Sequence, residues 1–181
     1  MAFSLRPYQQ KALNDLRTVT TSGAKSPLLV MPTGSGKTAL GIAIASGASE
    51  RGRKTVWLAH REELCVQTLE TAARYGVLAG GVGATLSRFE NRAAPLQVCM
   101  VQTLMARDLT VPADICIVDE AHRFMADEFR KVCEPYALRI GLTATPVRGD
   151  GRPLGDIFDS LVVGPSMSDL IALGHLVPCE I

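Results

Sequence analysis

The sequence predicts an α/β domain with a mostly parallel sheet and helices on both faces. Three observations carry that prediction. Short apolar runs alternate with amphipathic stretches, as βαβ units require. The apolar runs are continuous, which is how strands buried on both faces read. The chain has 181 residues, 47% of them hydrophobic. That suits one domain able to fold without a disulfide or a metal.

Leu5, Tyr8, Ala12, Leu16 and Val19 recur three or four apart and mark a helix over residues 5–20. Residues 27–31 form a short buried strand, followed by a glycine-rich turn and a helix over about 37–49. Residues 55–59 are the next strand, and Cys65, Leu69, Ala72 and Ala73 outline the helix after it. Strands follow at 96–101, 114–118 and 138–142, with a helical stripe of Met125, Phe129, Val132 and Cys133 before the last. Ser166 and Asp169 are spaced as a capping box opening a short helix. Gly174 suits that helix's end, and Pro178 lies beyond it. Residues 148–155 are loop-like. Gly80, Gly81 and Gly83 with residues 86–95 form a second irregular region.

Composition excludes several classes. Nineteen Lys and Arg against 18 Asp and Glu leave a charge of +1, which argues against binding nucleic acid by bulk electrostatics alone. The five cysteines are an odd number with no CxxC spacing, so neither a zinc site nor a disulfide framework is suggested. Four of the five fit small core residues, and a reducing compartment is the natural setting. With no apolar run of membrane length and no signal peptide, the expectation is a cytoplasmic protein with no membrane partner.

Residues 31–38, MPTGSGKT, join a strand to a helix, the context a phosphate-binding P-loop requires. Backbone N–H groups of the turn and the helix start would face phosphate oxygens. Lys37 would reach the β- and γ-phosphates, and Thr38 would ligate Mg²⁺. Met31 departs from the pattern, which has glycine there. The plainer alternative is a glycine-rich turn with a surface lysine. Residues 115–122, ICIVDEAH, end a strand in two carboxylates. Asp119 would hold Mg²⁺, and Glu120 would orient and deprotonate the attacking water. The alternative is an acidic pair that complements a helix dipole.

Taken together, these motifs resemble superfamily-2 helicases and translocases, in the branch with restriction-enzyme motor subunits and DNA-repair helicases. MPTGSGKT matches motif I, DEAH motif II and Thr143-Ala-Thr145 motif III. Leu58–Leu64 with Gln67 matches motif Ia, Val101–Leu104 motif Ib, and Arg6-Pro-Tyr-Gln9 the adenine-recognising element. The resemblance implies a RecA-like P-loop NTPase fold over residues 1–181, the first lobe of two. Pro32, Thr33, Gly34, Ser35, Gly36, Lys37 and Thr38 would bind ATP with Mg²⁺. Gln9 would hydrogen-bond adenine and Arg6 would lie near the base. His122, Thr143 and Thr145 would couple nucleotide state to grip, and Arg61, Gln102 and Thr103 would touch the nucleic-acid backbone.

Plainer roles stand beside these: Gln9 solvated, Arg61 simply in a first helical turn, the threonines ordinary strand-end residues. Only about 35 residues follow Pro146. The expectation is therefore that the second lobe, with its arginine finger, is absent from this chain and acts in cis or in trans. The lobe alone would hydrolyse ATP weakly or not at all. The expected partner is nucleic acid, DNA ahead of RNA. A double-stranded DNA translocase without strand separation, or a nucleotide-dependent binding module, are the alternative functions.

Overall fold

The computed structural model describes residues 4–124, 126–147 and 154–177. Their elements run α1 (Pro7–Thr21), β1 (Pro27–Val30), α2 (Lys37–Ser49), β2 (Thr55–Ala59), α3 (Glu62–Arg74), β3 (Ala79–Val82), β4 (Leu96–Met100), α4 (Val101–Arg107), β5 (Ile115–Asp119), α5 (Ala126–Cys133), β6 (Leu138–Thr143), β7 (Ser160–Val163) and α6 (Met167–Ala172). Short 3-10 segments occupy Ala84–Phe89, Ala121–Arg123 and Leu154–Asp156. Met125, residues 148–153, Pro178 and the fifth cysteine, Cys179, lie outside the described residues.

The seven strands form one sheet in the order β3-β4-β2-β5-β6-β1-β7, and every pairing is parallel. Side chains alternate across it, so the sheet feeds two cores. One contains Ala12 and Leu16 of α1, Leu40 of α2 and Leu69 of α3 against Leu29, Trp57 and Ile117. The other contains Leu104 of α4 and Phe129 of α5 against Leu28, Val56 and Cys116. Helices therefore cover both faces, as the continuous apolar runs imply. Trp57 is fully buried, and a Cβ at Gly41 of α2 would collide with its ring. Helix and sheet approach closely there because position 41 has no side chain.

Three elements differ from the sequence reading. Gly80 and Gly81 lie in strand β3, not in an irregular turn. A Cβ at Gly80 would strike the backbone of Asn91, and one at Gly81 would lie 2.8 Å from Leu86 Cβ. The glycines thus let the 84–91 segment lie directly against an edge strand. That segment is anchored by Gln97, whose amide donates to Asn91 O (2.9 Å) and Ala94 O (2.8 Å). Strand β7, absent from the sequence reading although Leu161-Val162-Val163 is apolar, lies at the opposite edge with Leu161 and Val163 facing outward. The 96–101 strand stops at Met100, and Val101 opens the short helix α4.

Cys65, Cys99, Cys116 and Cys133 are free, buried core residues. The Ser166 capping box is present, with Ser166 N donating to Asp169 Oδ2 (2.8 Å) and Asp169 N to Ser166 Oγ (3.1 Å). Gly174 has φ +69°. No helix of the described residues is long and apolar enough to cross a membrane.

Candidate functional site

In a parallel sheet the loops leaving the C-terminal strand ends share one edge, where ligands gather. The residues singled out from sequence all fall on that edge, in two groups. The ends of β1, β6 and β5 carry the 31–38 loop, Thr143 with Thr145, and Asp119 with Glu120. The ends of β2 and β4 carry Arg61 and Gln102 with Thr103. Strand β6 lies between β1 and β5, so the loop and the carboxylates face each other across one intervening strand.

The 31–38 loop is held from inside. Gly34 (φ +80°) and Gly36 (φ +81°) take the left-handed conformation that glycine alone adopts freely. Ser35 Oγ donates to Pro32 O (2.6 Å), and the buried Lys37 Nζ donates to Met31 O and Pro32 O (3.2 Å each). Burial lowers the Lys37 pKa, against the pull of Glu120 and Asp119. Met31 replaces the expected glycine without disturbing the loop. It is fully buried, its N–H donates to Thr143 O (2.9 Å), and its side chain sits where Gly164 leaves room. A surface lysine on a bare turn does not describe this arrangement.

Gln9, only 5% exposed, is not a solvated helix residue. Its amide donates to Ser35 O (3.0 Å) and accepts from Arg6 N (2.9 Å), so α1 is tied to the loop tip. Arg6 is the exposed residue preceding α1. Pro32 and Thr38 are half-buried, while Thr33 and Gly34 are exposed.

Asp119 ends β5 and is 5% exposed. Burial, with Glu120 beside it, raises its carboxyl to about 6, partly offset by the bond from Glu120 N (3.0 Å) and by Lys37. Adjacent strand residues ordinarily point to opposite faces, but Glu120 has φ +49° and ψ +51°. A left-handed glutamate is strained, and such strain clusters at functional positions. Glu120 Oε2 lies 3.3 Å from His122 Nδ1, which lies 3.0 Å from Thr143 Oγ1. Thr143 Oγ1 donates to Thr145 O (2.8 Å) and accepts from Thr145 N (3.1 Å). Because the Thr143 hydroxyl hydrogen is already used, the proton between it and His122 belongs on Nδ1. Burial lowers the His122 pKa, opposed by Glu120, which favours the neutral imidazole with Nδ1–H facing Thr143 and Glu120. Thr143 is fully buried and thus no idle strand end.

The second group is looser. Arg61 and Gln102 are exposed and Thr103 is half-buried beside Gly83. Among the described residues, none of the three side chains has a hydrogen bond or ion pair.

Sequence reasoning did not assign four neighbours of these groups. The Tyr8 hydroxyl donates to Ser35 O (2.9 Å). The His175 ring lies 5.2 Å from that of Tyr8, and Leu176 covers Gly34. His60, at the end of β2, packs on Phe124. Tyr8 sits inside the Arg6–Gln9 motif, so its position was a usable signal. His60 likewise sits inside the Leu58–Leu64 motif, while His175 and Leu176 have no such signal in the local pattern.

Similarity to known proteins agrees with this architecture. The chain is 33% identical over 181 aligned positions to a putative DNA 3'-5' helicase Rad25 of Halobacterium salinarum, covering 87% of this chain and 28% of that protein. It is 28% identical to the DNA 3'-5' helicase XPB of Kineococcus radiotolerans, covering 98% and 33%. It is 32% identical to a 51.5 kDa protein of a Lactococcus phage, covering 84% and 31%. It thus spans about a third of the length of these relatives. Among solved structures, it superposes with a TM-score of 0.71 and 18% identity on the type ISP restriction-modification enzyme LlaGI, covering 95% of this chain and 21% of that one. It also superposes on the UvsW helicase of bacteriophage T4, at 0.71 and 16%, covering 87% and 59%. At that identity these structures establish the shared RecA-like helicase fold. The family model described as "Type III restriction enzyme, res subunit" matches residues 2–148, most of the chain, and the protein belongs to that family.

Proposed function

We propose that this chain is the ATP-binding lobe of a DNA-dependent motor ATPase, a helicase or translocase. One observation carries the reading: loop 31–38, Asp119, Glu120, His122 and Thr143 converge on adjacent strand ends in one polar network.

The residues present fit Mg²⁺-ATP. Lys37 now caps two carbonyls of its own loop, and phosphate oxygens would replace those weaker acceptors with charge-assisted bonds. The backbone N–H groups of residues 33–38 would line the β-phosphate. Thr38 and Asp119 would hold Mg²⁺, which when bound offsets phosphate charge. Proximity of that charge would pull Asp119 down from about 6 and keep it ionised. Glu120 would accept the proton of the attacking water, its carboxylate aimed by His122. His122, Thr143 and Thr145 would pass movement of the Glu120 turn to β6 and, through Thr143 O, to the start of the loop. Arg6 and Gln9 would adjoin the base, and to meet adenine Gln9 would trade one loop bond. Arg61, Gln102 and Thr103 would contact DNA phosphates.

DNA is preferred to RNA because relatives of this chain are described as DNA helicases and restriction enzymes. A second RecA-like lobe, in cis or in trans, would supply the arginine that stabilises transition-state charge, worth about 10³–10⁵ in rate. Strand-displacement and triplex-displacement assays on the full-length protein would separate a helicase from a translocase. A binding module without catalysis would not need a strained Glu120 aimed by a histidine.

The test is thermal. Saturating Mg²⁺-ATP should raise the melting temperature, by about 2.7 kcal/mol of stability at a hundredfold excess over Kd. Lys37→Ala should erase that rise. No response of the wild type to millimolar ATP or ADP would overturn the reading.

A further inference from the structure

Trp57 lies in the middle of β2 and is fully buried. Its register partner on β5 is Ile117. Alternate residues of a strand share a face, so Asp119, two residues further along β5, stands on the same face as the indole. Helix α2 covers the ring on that face, and a Cβ at Gly41 would collide with Cζ3 and Cη2. Gly41 lies one turn beyond Lys37 and Thr38, which open α2. The indole therefore sits between the helix that carries Thr38 and the strand that ends in Asp119.

Packing alone asks only for an apolar ring at this place. The indole nitrogen is buried and, among the described residues, has no partner at hydrogen-bond geometry. Buried tryptophan N–H groups ordinarily have one, and an orphaned donor is costly. A phenyl ring would pack under Gly41 without that cost. What the N–H acts on is the Asp119 carboxylate. It draws that carboxyl down, against the burial and the Glu120 charge that raise it. Inside a protein such a charge–dipole attraction is stronger than in water. The backbone N–H of Glu120 donates to Oδ1 of the same carboxylate (3.0 Å). Asp119 is thus held from its own strand end and from the neighbouring strand.

We propose that Trp57 is a positioning residue for Asp119. Its ring is braced by α2, and its N–H holds the carboxylate in the orientation that a divalent cation shared by Thr38 and Asp119 requires. Groups that orient a metal's carboxylate ligand commonly govern metal affinity by about 10–100-fold. This inference rests on the Mg²⁺-ATP reading proposed above.

The test uses the 181-residue chain, in which Trp57 is the single tryptophan. ADP affinity is measured without metal and across a series of Mg²⁺ concentrations. Trp57→Phe keeps an aromatic ring under Gly41 and removes the N–H. The Mg²⁺ concentration that half-maximally strengthens ADP binding should rise about 10–100-fold, with metal-free ADP affinity at the wild-type value. An unchanged Mg²⁺ requirement, or equal losses with and without Mg²⁺, would overturn the proposal. A second measurement needs no substitution in the core. The ¹⁵N-labelled wild type gives one indole N–H signal. ADP alone should move that signal less than the Mg²⁺ added after it. A signal that ignores Mg²⁺ while ADP binding strengthens overturns the proposal even where Trp57→Phe does not fold. A wild type whose melting temperature responds to neither ATP nor ADP would instead sink the motor reading beneath it.

Discussion

On the β1–β6–β5 part of the sheet edge, Lys37, Gln9, His122 and Thr143 are each tied to a partner inside the protein, and Gln9, Lys37, Asp119 and Thr143 are buried. On the β2–β4 part, Arg61 and Gln102 are exposed and, among the described residues, without polar partners. The first arrangement is preorganised. A small, highly charged ligand meets groups already desolvated and aimed, which is where electrostatic stabilisation is largest. The second leaves donors in water. That suits a long polyanion gripped at its backbone, where each contact is weak and the count matters. Under the proposed function the +1 charge would be enough, since a lobe holding a few phosphates locally would need no bulk positive field.

This division can be broken by mutation. The largest effect is expected from Glu120→Gln in the full-length protein. DNA-stimulated turnover should fall by about 10²–10⁴-fold, the usual worth of a positioned general base, with the Mg²⁺-ATP melting shift retained. Loss of nucleotide binding in that variant would mean Glu120 shapes the loop rather than the reaction.

Next is Asp119→Asn. The Asp119 carboxyl is raised from 3.8 to about 6, so the fold favours its protonated form. The stability this lends is complete below pH about 4 and gone above about 6. Removing the charge should therefore stabilise the nucleotide-free protein by about 2–3 kcal/mol near pH 8 and leave it nearly unchanged near pH 4. Mg²⁺-dependent nucleotide stabilisation should disappear at the same time. Equal melting temperatures at pH 8 would show that the buried carboxylate is better solvated than its 5% exposure indicates.

The smallest effect belongs to Arg61→Ala. DNA affinity should drop several-fold and the slope of log K against log salt should shrink by about 1, with no change in the nucleotide-induced melting shift. An Arg61 variant that lost the nucleotide response would erase the distinction between the two parts.

The same contrast governs what the sequence made visible. Loop 31–38 and residues 119–122 are contiguous, and their chemistry is written in consecutive residues. The strand of origin and the following helix or turn then fix their geometry. The five inner strands were visible because burial on both faces makes them uniformly apolar. The edges were not. β3 is built on glycines, whose role is to admit the 84–91 segment, and β7 shows apolar side chains to solvent. Contacts such as Tyr8 to Ser35, Leu176 to Gly34 and His60 to Phe124 depend on strand order. No local pattern encodes that order.

The placement of β6 between β1 and β5 sets a gauge. Neighbouring strands lie about 4.8 Å apart, so the axes of β1 and β5 are separated by about 10 Å. Under the proposed function, that width would leave room for a terminal phosphate beside a divalent cation. If β1 and β5 were direct neighbours, the Asp119 carboxylate would stand one strand closer, inside the space loop 31–38 encloses. The interposed strand thus acts as a spacer, and it is also the strand that carries Thr143. Any change in that width is felt first by the residue that touches both the loop and His122.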